Sequence, residues 1–256
     1  MIPRRSSFKS FGIAVATAGF AKAALASPAA PLVAVGAKTL DVLAAKLASI
    51  APRRDYKTVP MILDNRDQWD ADALDAVLHY AGGPKQSWDN TDLTGPWLNV
   101  MRNSMNAEVW SFRHPDFLCV SATHGSAQLA LYDDAMWEKY GLAKVAGGSV
   151  AKNSFIQATA ASGQDPADYQ NAKGAYSPSA NSIQGLQRRG AVFLACHNAV
   201  WELCERLVAA GSNPDRLSTE AMCAEFSNHL APGVVLTPGA VGTLVELASA
   251  GFAYAR

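Results

Sequence analysis

Three short runs, FLCVSATHG (117–125), AVFLAC (191–196) and GVVLT (233–237), are apolar almost without a break, and each is followed by a segment with helical spacing. A strand with one face in water alternates apolar and polar residues, whereas a strand covered on both faces reads as continuous apolar chain. Such runs alternating with helices predict right-handed crossovers and an α/β fold: a mostly parallel sheet between two helical layers. The helical segments begin with ADALDAVLHYA, where Leu74, Val77 and Leu78 share a face. PWLNVMRNSMNAEVW follows, aligning Leu98, Met101, Met105 and Val109. From Ser126 the chain reads as helical through AQLALYDDAMWEKYG, and NSIQGLQRRG is another helix before AVFLAC. HNAVWELCERLVAAG then sets Val200, Leu203, Cys204, Leu207 and Val208 at helical intervals, and a polar helix-turn segment passes from Asn213 to Leu230. After GVVLT come a Pro-Gly turn, a helix, and a last short strand at 252–254. A first strand is expected near 58–63, where MILDN follows TVP.

The remaining segments give a domain plan. Residues 1–26 have a basic start, an apolar stretch from Gly12 to Ala21, and small residues at Ala24 and Ala26, which reads as an export signal and a periplasmic or otherwise exported location. Arg4, Arg5 and Phe8 resemble a twin-arginine signal, although Ser7 stands where that signal prefers a large apolar residue; a general secretory signal stays open. Residues 27–57 read as an N-terminal arm with a helix around Val42, Leu43, Leu47 and Ile50, docking on the body or on a neighbouring subunit. Residues 58–256 form the α/β domain, with a surface insertion at about 144–180, where periodicity fades among scattered Gly, Ser, Asn and Gln.

Composition narrows the function classes. Hydrophobic residues make up 49% and charged ones 17%, which excludes a disordered chain, and 22 basic against 22 acidic side chains leave no electrostatic footprint for a nucleic-acid binder. Four of the basic residues and none of the acidic ones lie in residues 1–26, so the rest is mildly acidic. No later apolar stretch reaches the roughly 18 residues needed to cross a bilayer, so an integral membrane protein is not expected. Four cysteines in an exported chain allow two disulfides, but Cys119, Cys196 and Cys204 all stand in segments that read as interior. Free thiols are expected, with Cys204–Cys223 as the leading exception.

Ligands of open parallel sheets bind beyond the carboxyl ends of the strands. Three such ends carry distinctive groups: Thr123, His124, Gly125 and Ser126; Cys196, His197 and Asn198; Thr237, Pro238, Gly239 and Ala240. Cys196, between a strand and a helix start, would feel the positive end of the helix dipole, which favours a thiolate able to attack sulfur or carbonyl centres. The bland alternative is an inert cysteine buried at a tight junction. His124 or His197 could favour the thiolate or move protons, against the alternatives that His124 only caps a helix and His197 faces solvent. The five histidines lack H-x-x-x-H or H-E-x-x-H spacing, no C-x-x-C exists, and the six tryptophans suit packing, so neither metal nor cofactor is expected. G-x-S-x-G, the phosphate-cradling G-x-x-x-x-G-K-[ST] and G-x-G-x-x-G are absent as well, which makes a general hydrolase or oxidoreductase the least favoured class.

With GAVFLACHNAV, PGVVLTPGAVGTLVELASAGFAYAR, LNVMRNSMNA and FLCVSATHGSA in this order, the chain resembles the DsrE/DsrF-like family of sulfur-relay proteins from about residue 73 to 256. The resemblance implies a flavodoxin-like sandwich, usually assembled as an oligomer, a sulfur-carrying cysteine at Cys196, and a pocket using Asn103, His124, Gly125 and Pro238–Ala240. The export signal and the long insertion before Cys196 depart from the cytoplasmic relay members, so partner and substrate do not carry over. Two functions follow as expectations: an exported sulfurtransferase or sulfur carrier holding a persulfide on Cys196, taking a small sulfur-containing ligand or partner protein, or a non-catalytic periplasmic binding or assembly module using the same crevice. The first requires a sulfur reachable from outside.

Overall fold

The computed structural model describes residues 31–156 and 165–256; the export-signal expectation lies outside them. Five strands, β1 (Lys85–Asn90), β2 (Leu118–Thr123), β3 (Val192–Cys196), β4 (Val234–Thr237) and β5 (Ala253–Ala255), form one all-parallel sheet in the order β4-β3-β2-β1-β5. The helices are α1 (Lys38–Ser49), α2 (Ala71–Leu78), α3 (Trp97–Asn106), α4 (Asp134–Tyr140), α5 (Leu142–Val145), α6 (Ile183–Arg188), α7 (His197–Ala209), α8 (Thr219–Asn228) and α9 (Ala240–Ser249).

The continuous apolar runs are buried on both faces because each strand alternates between two cores. Cys119, Phe193, Ala195 and Leu236 point into the layer of α3, α4, α6, α7 and α8, against Leu98, Met101, Leu203 and Phe226. Leu118, Val120, Val192, Leu194 and Val235 point into the opposite layer of α1, α2 and α9, against Leu43, Leu74, Val77 and Leu247. The architecture is therefore the three-layer α/β sandwich that the sequence predicts, consistent with a flavodoxin-like fold. The chain steps outward from β1 to β4 with its crossovers on one face, then returns over the other face through α9 to place β5 beside β1.

Local details differ from the sequence reading. Residues 58–63 form no strand: Met61 and Ile62 are exposed, and only Val59 is buried, its N–H bonded to Glu220 O. The first strand is instead KQSWDN at 85–90. The segment after Ser126 is not one helix. It is a tight 3-10 turn over Gly125–Leu131, interrupted at Tyr132, whose backbone bridges to Leu230, and then α4. The closing strand is displaced by one residue, to 253–255. The arm helix lies where its spacing predicts, but it buries Leu40 and Leu43 and leaves Val42 in solvent. Described residues between 146 and 177 contain no helix or strand, yet Asn153 and Tyr176 are buried, so this segment packs in part against the body. All four cysteines are free and buried. Among the described residues no helix is long and apolar enough to cross a membrane.

Candidate functional site

β3 ends at Cys196, which is also the residue that caps α7. Its Sγ accepts the N–H of Ala199 at 3.4 Å, in the first turn of α7, and the N–H of Ala240 at 3.2 Å, at the start of α9. The parallel pairing of β3 with β4, which matches Cys196 with Thr237, brings the second helix start to the same sulfur. Ser, Thr, Asp and Asn are the usual caps at such positions, and a neutral thiol is a weak acceptor. A sulfur bonded by the N–H groups of two helix starts instead sits where backbone dipoles favour negative charge.

The same sulfur is buried. Cys196 is 4% exposed, packed among Ala122, Ala199 and Ala240 with Leu244 beside them. The sequence expectation of a thiol between a strand end and a helix start matches this geometry, and the start of α9 adds a second donor that the sequence reading did not assign to the sulfur; an open approach to it is not found. The cover consists of small side chains. Asn198, which is exposed, lies against Gly239, where a Cβ would come within 2.7 Å of Asn198 Nδ2. Pro238 and Gly239, which precede the sulfur's second donor in the chain, are half-buried, and Ala240 is buried. These residues form one cluster.

A second cluster stands at the neighbouring strand ends. His124 lies one residue beyond the last β2–β3 pair, Thr123 with Ala195, at the same level as Cys196. Its Nε2 meets Asp89 Oδ1 of β1 at 2.7 Å, and Asp89 Oδ2 accepts the hydroxyl of Tyr254 from β5 at 2.8 Å. Partial burial would raise the Asp89 carboxyl, but the bonds from His124 and Tyr254 outweigh it and leave the group below the ordinary carboxylate range. An ionised Asp89 makes Nε2 the protonated nitrogen of neutral His124. Its Nδ1, without a hydrogen-bond partner among the described residues, is then left as a proton acceptor. Gly125 is exposed, with φ +57°, and a Cβ there would come within 2.7 Å of Thr91 O, so the turn after His124 requires glycine.

Two expected site residues stand elsewhere. Asn103 is exposed on α3, and its Oδ1 accepts from Arg102 rather than meeting the strand ends. His197 is fully buried, not solvent-facing, and its Nε2 bonds Pro60 O at 2.7 Å, fixing the chain before α2 to the start of α7. Burial lowers its pKa, so the ring is neutral. Asp89 and Tyr254 escape sequence reasoning: the strand that carries Asp89 has no apolar signature, and Tyr254 looks like part of a closing strand. Among the described residues no group of three or more His, Cys, Asp and Glu side chains is placed to hold a metal.

No protein-family model, no curated protein and no solved structure matches the chain.

Proposed function

We propose that the protein is a sulfur carrier or sulfurtransferase that holds sulfane sulfur on Cys196. The observation that carries this reading is the pair of helix-start N–H groups on one sulfur. With thiosulfate as donor, His124 takes the thiol proton and its imidazolium pairs with Asp89. The thiolate attacks the outer sulfur of thiosulfate, the S–S bond of the donor breaks, and sulfite departs with the bonding electrons. A persulfide anion remains, held by the N–H groups of Ala199 and Ala240. Because Cys196 is 4% exposed among Ala122, Ala199 and Ala240, loading in this reading requires the side chains around the sulfur to move aside. The DsrE/DsrF-like motif order supports this reading from the sequence side, and an exported location and assembly into oligomers are proposed with it.

Burial favours a second reading: a non-catalytic binding or assembly module in which Cys196 only ties the start of α9 to the β3–α7 junction. Intact mass after incubating the reduced protein with thiosulfate or polysulfide separates the two. The carrier gains the mass of a sulfur atom, a gain abolished in Cys196→Ala and reversed by dithiothreitol. No gain in wild type, or an equal gain in Cys196→Ala, overturns it in favour of the module.

A further inference from the structure

Four adjacent strands bring side chains to one face of the sheet at its carboxyl edge. Residues matched across a parallel pair point to the same side, and so do residues two apart on one strand. Ala122 is matched with Asp89 on β1, and by the β2–β3 pairing with Leu194; Ser87, two residues before Asp89, is matched with Tyr254 on β5. Cys196, two residues after Leu194, and His124, two after Ala122, follow in extended backbone. Cys196, His124, Asp89 and Tyr254 therefore share the face that α9 covers, in the strand order β3-β2-β1-β5. The histidine stands between the strand that carries the sulfur and the strands that carry Asp89 and Tyr254.

Asp89 has two oxygens and a partner for each. Oδ1 accepts the Nε2–H of His124 at 2.7 Å and Oδ2 the hydroxyl of Tyr254 at 2.8 Å. With both engaged, the carboxylate cannot turn about its last bond without breaking one of them. Partial burial would raise Asp89, and the bonds from His124 and Tyr254, with the positive charge of Arg256, reverse that and keep it ionised. Tyr254 gains little packing in return. It is 58% exposed on an edge strand, where water could satisfy its hydroxyl, so the bond serves Asp89. The same bond raises Tyr254, which therefore stays a donor into alkaline solution.

We propose that Tyr254 is a positioning residue for sulfur transfer at Cys196: through Asp89 it holds neutral His124 as the Nε2–H tautomer, which leaves Nδ1 to take the thiol proton. This rests on the sulfur-carrier reading. Without the Tyr254 hydroxyl the carboxylate is free to turn and more basic, and the imidazole proton is shared between the two nitrogens. The Nδ1–H form cannot accept the thiol proton.

Two measurements on the full chain test this. The first is nitrogen NMR of the His124 ring without any sulfur donor, in mildly alkaline solution where an imidazole is neutral. Wild type should show the Nε2–H tautomer, Tyr254→Phe a mixture, and Asp89→Asn, whose amide donates to Nε2, the Nδ1–H form. The second is the rate of sulfur gain from thiosulfate against pH. At neutral pH Tyr254→Phe should be roughly tenfold slower, less than the loss of roughly 10²-fold expected when His124→Ala deletes the base. The Tyr254→Phe deficit should close in alkaline solution, where hydroxide takes the thiol proton, and thermal unfolding should stay nearly unchanged. An unaltered tautomer in Tyr254→Phe, or a rate deficit equal at every pH, overturns the positioning role. No sulfur gain in wild type removes the carrier reading by itself, and the tautomer comparison still decides whether Tyr254 holds His124.

Discussion

Two buried residues side by side in sequence, Cys196 and His197, have separate tasks. Cys196 faces the layer of α9, and the run AVFLAC before a helix announces its place at a strand end. His197 faces the chain before α2, and nothing in TVPMILDN advertises that a carbonyl at Pro60 would be waiting for a ring nitrogen. That contact gives a pH prediction. Because burial holds folded His197 below its ordinary value of 6.5, the unfolded chain takes up a proton that the folded chain refuses as pH falls through that value. The stability attached to a neutral His197 is present above about 6.5 and is lost toward the folded pKa. His229 titrates with the opposite sign: the hydrogen bond that its Nδ1–H donates to the Asp133 carboxylate raises it, so its contribution is complete below 6.5 and fades as pH rises. His197→Gln keeps a donor for Pro60 O and removes only the first titration. Urea unfolding at pH 7.5 and 5.5 should show the difference between variant and wild type moving in the variant's favour at the lower pH, while His229, common to both, cancels. A difference independent of pH would show that His197 does not titrate in this range.

Elements were legible where they are apolar. β2, β3 and β4 announce themselves because every side chain is buried, and α2, α3 and α7 because one stripe is. β1 is the exception, since KQSWDN satisfies its polar side chains by hydrogen bonds instead of excluding them. Gln86 accepts from Ser104 and Trp88, Asn90 donates to Ser121, and Asp89 meets His124. Binary patterning cannot detect such a strand, and with it went Asp89, the residue that orients the site histidine. The run at 58–63 shows the opposite error, apolar residues that stay in solvent beside a single buried valine. The glycine that follows β2 yields a prediction at this scale. Gly125→Ala would need a left-handed backbone and a Cβ 2.7 Å from Thr91 O, and it should cost roughly 1–3 kcal/mol in denaturant unfolding. Gly239→Ala stands at φ −178°, extended backbone open to any residue, and its close neighbour is the free end of Asn198. That substitution should cost less, so equal losses would contradict the backbone explanation.

In the whole molecule the N-terminal arm belongs to the core of the same chain. Asp116, in the loop before β2, accepts the N–H groups of Thr39 and Leu40 and so caps α1 from a distance. Leu32 N–H bonds Arg188 O, and Arg54 reaches both the buried Asp70 carboxylate and Val234 O. The sequence left open whether the arm docks on its own body or on a neighbour, because periodicity identifies an apolar stripe without identifying what covers it. It also assigned Val42 to that stripe, one position from the residues that are buried. Leu40 fits so closely that a Cβ at Gly190 would come within 2.6 Å of its side chain. Leu40→Ala should therefore cost about 2–5 kcal/mol, the usual penalty for emptying a packed site, whereas Val42→Ala, at an exposed position, should stay within about 0.5 kcal/mol. Denaturant unfolding of both variants at two protein concentrations decides where the arm docks. With α1 packed on its own chain, the Leu40→Ala loss is the same at both concentrations. An arm docked on a second copy would give a loss that grows on dilution and a penalty at Val42 as well.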